Sequence, residues 1–277
     1  MGNDDGVGTM TDDRYEVLII KYGTRETVRS DVYLNYGVYG QPDGPIRMDY
    51  FVWVVRNAAR TVLVDTGFSA EGGAKRNRAT VLPPAEAWTR LGITPESAPD
   101  ILITHAHYDH IGNLGHFPGS TLRMARAEFD FWAGPHAHRA QFHHSVEDSE
   151  LAGLAVAERE GRIEFFDDRL DLAPGLEVVR LGGHTPGQSV VIVQTSDGPV
   201  LLASDAVHYL EEYDADLPFV SVAHLVEMYA GFDRIREWEL AGTVRHVVPG
   251  HDPGTLDRFE PYGGDLEGFA SVIGRIS

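Results

Sequence analysis

The chain has 277 residues, a formal net charge of −19 and 43% hydrophobic residues, a composition typical of a globular protein with a large core. The acidic excess argues against nucleic acids and anionic membrane surfaces as partners, because both are bound through clustered basic residues. Cysteine is absent, which excludes disulfides, thiolate metal sites, iron–sulfur clusters and a cysteine nucleophile.

The N-terminal residues 1–13 are rich in glycine, aspartate and threonine, with no basic start and no apolar stretch. This composition predicts a flexible tail and is unlike a signal peptide. No apolar run in the sequence reaches the length of a membrane-spanning helix. We therefore expect a cytoplasmic protein with one domain over 14–277 and no membrane partner.

The remaining sequence alternates between predicted strands and predicted helices. Short runs of β-branched and aromatic residues predict strands at 15–22, 49–56, 61–65, 100–104, 176–181, 189–194, 199–203 and 246–249. Helical spacing of apolar residues predicts helices at 83–91, 125–132, 149–160 and 222–240. Because no linker interrupts this order, we expect an α/β fold with sheets inside and helices outside.

The pattern H-x-H-x-D-H at 105–110 directly follows the predicted strand 100–104. Residues two apart on an extended chain point to the same side, so His105 and His107 can bind one ion. The chain then turns, and Asp109 and His110 face a second position nearby. Neutral imidazole and carboxylate are ligands for zinc and related divalent ions, so the motif predicts a metal site.

Three more candidate ligands each follow a predicted strand. His184 lies in the turn GGHTPG, Asp205 in SDA and His251 in PGHD. Residues at the ends of strands are held in place by a rigid sheet. Alone, each residue is equally compatible with a turn or a helix cap, but together with the motif at 105–110 they indicate a site for two metals.

The succession of Asp65 in LVDTG, the motif at 105–110, His184, Asp205 and His251 resembles the five motifs of the metallo-β-lactamase superfamily. The resemblance implies an αββα sandwich, with two mixed β-sheets inside, helices on both outer faces and a dinuclear site at one edge. It implies that His105, His107 and His184 hold one ion, that Asp109, His110 and His251 hold the other, and that Asp205 bridges both. Asp65 would orient the histidine loop without being a ligand. Zinc is the expected metal, with iron, manganese and cobalt as alternatives.

Within that superfamily the chain is most similar to the N-acyl-homoserine lactonases, which imply a lactone substrate and a role in quorum quenching. Those lactonases carry a tyrosine three residues past the bridging aspartate, and here that position is His208, followed by Tyr209. His208 is the candidate donor at the substrate carbonyl. Tyr209, Phe219 and Tyr36, which lies in the glycine-punctuated loop 33–40, are candidate substrate contacts; core packing is the alternative for that loop.

The site predicts hydrolysis by a metal-bridging hydroxide that attacks a carbonyl, with Asp109 or His208 carrying the proton to the leaving group. A lactone of another kind and a thioester, as in the glyoxalase II branch, are alternative substrates. A binding or sensor protein without turnover is the non-catalytic alternative. Lactonase-like relatives often dimerise, so the resemblance makes a homodimer a candidate assembly. The histidine-rich stretch 136–144 is interpreted as a loop or cap near the pocket in preference to a third metal site.

Overall fold

The computed structural model describes residues 13–276. Its strands are β1 (Glu16–Val28), β2 (Pro45–Arg56), β3 (Thr61–Val64), β4 (Ala79–Thr80), β5 (Asp100–Leu102), β6 (Leu122–Ala125), β7 (Ile163–Phe166), β8 (Arg169–Ala173), β9 (Leu176–Arg180), β10 (Ser189–Val193), β11 (Val200–Ser204), β12 (His246–Pro249), β13 (Glu260–Pro261) and β14 (Ala270–Ile273). Its α-helices are α1 (Ala70–Lys75), α2 (Pro84–Arg90), α3 (Tyr108–Ile111), α4 (Arg126–Trp132), α5 (Ala140–His143), α6 (Asp148–Arg159), α7 (Leu210–Ala215) and α8 (Leu225–Leu240).

The strands form two mixed sheets. The larger sheet has the order β13-β14-β1-β2-β3-β5-β6-β7, and β4 pairs with β1. It is antiparallel from β13 to β3 and parallel from β3 to β7. The smaller sheet has the order β12-β11-β10-β9-β8, in which only β11 and β12 are parallel.

The side chains of each central strand alternate between two apolar layers, because successive residues of a strand point to opposite faces. In β1, Val17 lies between the sheets and Leu18 lies on the outer face of the larger sheet. In β10, Val191 lies between the sheets and Val190 faces outward. Helix α8 covers that outward face with Met228, Phe232 and Ile235. The predicted αββα sandwich is confirmed, and burial on both faces explains why these strands are apolar throughout.

Most predicted elements differ from the observed ones by one to three residues. Two shifts affect the site or its surroundings. The strand predicted at 100–104 ends at Leu102, so His105 and His107 lie on a loop instead of on extended strand. The helix predicted at 222–240 begins at Leu225, because the His224 side chain accepts a hydrogen bond from Glu227 N at 3.1 Å and caps the helix.

The sequence patterns missed several short elements, among them β6, β7, β14 and α1. The predicted tail 1–13 lies outside the described residues except for Asp13. Within 13–276, no helix combines the length and the apolar character that crossing a membrane would need.

Candidate metal centre

The predicted ligands come from five places in the chain that the two sheets bring to one edge. They follow β5, lie on α3, or follow β9, β11 and β12. All seven side chains are buried. The structure groups them in two sets whose ligand atoms lie within 4.8 Å of one another: His105, His107, His184 and Asp205 in one set, and Asp109, His110 and His251 in the other.

Asp205 lies between the two sets. Its Oδ2 is 3.4 Å from His184 Nε2 and 3.7 Å from His105 Nε2. Its Oδ1 is 3.3 Å from His110 Nε2 and 3.2 Å from His251 Nε2. His251 Nε2 also lies 3.3 Å from Oδ2. The carboxylate of Asp205 is therefore close to both sets, as a carboxylate shared by two cations would be.

The outer nitrogens of three of these histidines have hydrogen-bond partners that fix the ring. Asp65 Oδ2 accepts from His110 Nδ1 at 2.7 Å, and the carbonyl of Asp49 accepts from His251 Nδ1 at 2.9 Å. Thr104 Oγ1 lies 3.2 Å from His105 Nδ1. With the proton on Nδ1, the lone pair of Nε2 is directed into the centre, as a metal-binding histidine requires.

Several atoms that face the centre are buried without a hydrogen-bond partner, among them His105 Nε2, His110 Nε2 and Asp205 Oδ1. Burying polar atoms in this way is costly unless an ion occupies the space between them. Burial holds the pKa of His105 and His107 well below the usual range, and neighbouring histidines add to the effect. Both rings are therefore neutral, which is the form that binds metal. The donor set fits two divalent cations.

Asp65 connects two parts of this site. Its Oδ1 accepts from Thr104 N at 2.8 Å, and its Oδ2 accepts from Thr104 Oγ1 at 2.7 Å as well as from His110. The carboxylate is fully buried and belongs to neither ligand set. This geometry agrees with an orienting role.

His208 is fully buried beside the first set of ligands. Its Nε2 lies 3.2 Å from Asp205 Oδ2, and its Nδ1 lies 3.1 Å from Glu212 Oε2. Its ring stacks on Phe219 with centroids 3.8 Å apart. Burial lowers the pKa of His208, but the carboxylates of Glu212 and Asp205 outweigh burial and raise it to about 9.

A cavity of about 300 Å³ opens over the centre. Ligands from both sets line it, and so does Phe219. The structure does not bring the other two predicted substrate contacts to its wall. Tyr36 Oη accepts a hydrogen bond from Arg29 Nε at 2.6 Å, and Tyr209 Oη donates to the carbonyl of Arg47 at 3.3 Å. Both tyrosines are buried in the apolar layer on the outer face of the larger sheet.

Sequence reasoning missed Glu128, a fully buried carboxylate on α4. Its Oε1 accepts from Ala106 N at 2.9 Å and from Trp132 Nε1 at 2.7 Å. Its Oε2 accepts from Thr185 Oγ1 at 2.6 Å and from Gly187 N at 2.9 Å. A Cβ on Gly187 would lie 2.3 Å from Glu128 Cβ, so glycine permits this approach. No local pattern distinguishes this glutamate from the exposed ones on other helices.

The histidine-rich stretch 136–144 forms no third group of ligands within residues 13–276. His144 lines the cavity, and His143 Nε2 lies 2.9 Å from Asp148 Oδ1 at the surface. The stretch is thus partly a wall of the cavity.

Comparison with known proteins places this geometry in a family. The sequence model of the metallo-β-lactamase superfamily matches residues 47–260. An N-acyl homoserine lactonase of Bacillus sp is 30% identical over 145 residues, 52% of this chain and 48% of the relative. The matched part therefore spans about half the length of that relative.

Two solved structures share the fold at 18% sequence identity. One, a quorum-quenching N-acyl homoserine lactone lactonase, has a TM-score of 0.74 and covers 89% of this chain and 96% of its own. The other, AidC, is described as a dizinc quorum-quenching lactonase in complex with a product. It has a TM-score of 0.68 and covers 95% of both chains.

Proposed function

The chain belongs to the metallo-β-lactamase superfamily, and from that premise we propose that it is a metal-dependent hydrolase that opens the ring of an N-acyl-homoserine lactone. The observation that carries the proposal is the pair of ligand sets, with Asp205 close to both, beneath a cavity of about 300 Å³. The similarity to curated N-acyl homoserine lactonases supports the substrate class.

Two divalent cations, when bound at such a site, supply a hydroxide nucleophile at neutral pH and polarise the carbonyl of a substrate. In the proposed assignment, one ion would be held by His105, His107 and His184. The other would be held by Asp109, His110 and His251. Asp205, which lies close to both sets, would be shared by the two ions. Zinc is the proposed metal, supported by the dizinc relative and by the His/Asp donor set.

His208 is proposed to donate a hydrogen bond from Nε2 to the substrate oxygen on which negative charge develops. Its Nε2 faces the centre beside Asp205, and Glu212 fixes the ring from the other side. Phe219 stacks on the His208 ring and also lines the cavity, so it would contact substrate next to that donor. Asp109 lies on the cavity wall, where it can pass a proton to the leaving alkoxide.

The test is the initial rate of acid release from short-chain and long-chain N-acyl-homoserine lactones. Metal-loaded protein is compared with chelator-treated protein and with an Asp205→Asn variant. We expect ring opening that requires metal and that the variant loses. Metal-loaded protein that opens none of these lactones would refute the proposal. Turnover of thioesters instead would indicate the glyoxalase II type of reaction, and metal binding without any turnover would favour the non-catalytic alternative.

A further inference from the structure

The cavity over the candidate metal centre carries charge that the proposed hydrolysis does not use. Arg25, Arg76 and Arg78 all lie on its wall, beside predicted ligands such as His107 and Asp109. In a chain with a net charge of −19, three arginines on one small cavity require an explanation. They differ in whether the protein itself neutralises them.

Arg76 has a complete set of partners within the protein. It forms an ion pair with Glu147 and donates from Nη2 to the carbonyls of His144 at 2.8 Å and Val146 at 3.0 Å. Its guanidinium also lies 4.0 Å from the ring centroid of Tyr108. Arg76 therefore has a structural role at the rim of the cavity, and its guanidinium group is not available to bind a ligand.

Arg25 and Arg78 have no such neutralising partner. None of the ion pairs found among residues 13–276 includes either side chain. Arg78 donates from Nε to Tyr108 Oη at 3.1 Å and from Nη1 to the carbonyl of Arg76 at 2.6 Å, which leaves Nη2 available. The Nε of Arg25 is buried without a hydrogen-bond partner. A buried donor that lacks a partner is costly in the free protein.

The acidic side chains of the same wall do not balance these two charges. Asp109 and Asp205 belong to the predicted metal ligands. Asp31 is exposed, and its Oδ2 accepts a hydrogen bond from Thr27 Oγ1 at 3.3 Å. The guanidinium groups of Arg25 and Arg78 therefore lie beside the centre without a carboxylate partner.

Both guanidinium groups act on the same part of the cavity. Burial raises the pKa of Tyr50 to about 12, and the charges of Arg78 and Arg25 oppose that rise. The Tyr50 side chain itself lines the cavity and packs 5.0 Å from the ring of His251. Thr24 pairs with Ala79 where β1 meets β4, so Arg25 and Arg78 are neighbours across the two strands, on the same wall as Asp109 and His251 of the second ligand set.

We propose that the substrate carries an anionic group, in the simplest case a carboxylate on its acyl chain, which Arg25 and Arg78 bind while the reacting carbonyl lies at the metal centre. The inference rests on the proposed function and adds that the lactone substrate carries an acidic group. Guanidinium groups form short, charge-assisted hydrogen bonds with carboxylates, so this ligand would satisfy the donors left open in the free protein. An uncharged acyl chain would leave both arginines unpaired.

The test uses two ligands that share the homoserine carboxylate and differ only in the group at the end of the acyl chain. N-succinyl-homoserine ends in a carboxylate, and N-succinamoyl-homoserine ends in the carboxamide of nearly the same shape. As ring-opened compounds they undergo no turnover, so calorimetric titration of metal-loaded protein measures their dissociation constants directly. We expect the carboxylate to bind about tenfold more tightly or better.

The variants Arg25→Gln and Arg78→Gln should each bring the two dissociation constants closer together. Arg159→Gln, which changes an exposed arginine on α6, should leave the selectivity as it is. Arg25→Lys keeps the charge and should retain part of the selectivity, which separates loss of charge from a folding defect. Metal content is measured for every variant.

Equal affinities in the unchanged protein, or selectivity that survives both glutamine substitutions, would overturn the inference. The corresponding lactones are assayed in parallel for ring opening. If neither lactone is opened, the proposed function fails, whereas the binding comparison still decides whether the cavity selects an anion. If only the carboxamide lactone is opened, the function stands and the inference is refuted.

Discussion

Glu128 offers the sharpest test of how the first ligand set is held in place. Its carboxylate binds the residues next to two predicted ligands, since Ala106 precedes His107 and Thr185 follows His184. It also accepts from Trp132 Nε1, and the Trp132 ring packs 5.7 Å from that of His107. One buried side chain therefore positions both histidines, although it touches neither the centre nor the cavity.

The effect of Glu128→Gln follows from the fact that Ala106 N, Trp132 Nε1 and Gly187 N can only donate. The amide oxygen of the glutamine can accept from Ala106 N and Trp132 Nε1. The amide nitrogen then faces the Thr185 hydroxyl and Gly187 N. The hydroxyl can turn and accept, but Gly187 N is left facing another donor. Loss of the carboxylate charge and one buried unpaired N–H together cost about 2–4 kcal/mol of unfolding free energy.

The effect on metal binding should be confined to the first ligand set. Loss of a residue that orients metal ligands typically weakens metal affinity by about 10–100-fold. Glu128 makes no contact with Asp109, His110 or His251, so we expect Glu128→Gln to bind one ion as before and the other more weakly. Thr185→Val removes only one of the four donors and should show a smaller change in the same direction.

The assay is a titration of chelator-treated protein with zinc, followed by calorimetry, together with thermal unfolding of the metal-free protein. If Glu128→Gln lowers the melting temperature but leaves both zinc affinities unchanged, Glu128 supports the fold only and the positioning argument is wrong. Weaker binding at both sites would also contradict it, because the second set has no contact with this carboxylate.

Three further predictions concern the ligands, the donor and stability. Removing metal with a chelator should lower the melting temperature by roughly 5–10 °C, because ligand at 100 times its dissociation constant stabilises by about 2.7 kcal/mol; no change would speak against bound metal. His208→Ala should reduce the rate of lactone opening about 100-fold with both metals retained, and an unchanged rate would remove His208 from the reaction. Glu150 is half-buried, and its Oε1 accepts a hydrogen bond from Ser69 Oγ at 2.9 Å. Partial burial raises its pKa from 4.5 to about 7. The folded state therefore favours the protonated form, so the unfolding free energy should fall as the pH rises from about 4.5 to about 7, and Glu150→Gln should weaken this dependence in chemical unfolding experiments.

The layered fold could be predicted because its strands are apolar on both faces and its long helix is amphipathic. Burial patterns of this kind are local, as the continuous burial of Ser189–Val193 shows. The strands missed were short or mixed in polarity. In β8, Arg169–Ala173, the apolar face consists of Leu170 and Leu172, which are only half-buried at the edge of the smaller sheet and give a short, weak pattern.

The candidate ligands could be named because the metal motif is compact in sequence and its remaining members follow strands. The substrate contacts could not be named in the same way. Tyr36 is predicted from its glycine-punctuated loop and Tyr209 from its position beside His208. In the structure, Arg29 and the carbonyl of Arg47 bind their hydroxyl groups, and neither tyrosine lines the cavity. Conversely, Arg25 lies in β1 and Arg78 directly precedes β4. These positions are distant in sequence, and the pairing of the two strands makes them neighbours beside the centre.

The backbone at the centre is held in a conformation that local sequence preferences do not favour. Asp65 has a φ of 59° and Ser204 a φ of 47°, in the left-handed region that costs a non-glycine residue about 1–2 kcal/mol. Thr104 binds both, because its hydroxyl donates to Asp65 Oδ2 at 2.7 Å and lies 2.9 Å from Ser204 Oγ. These turns end β3 of one sheet and β11 of the other, and the second directs Asp205 between the two ligand sets. Since the contacts that offset the strain join both sheets, the ligand geometry depends on the packed sandwich as a whole, and no isolated segment of the chain can specify it.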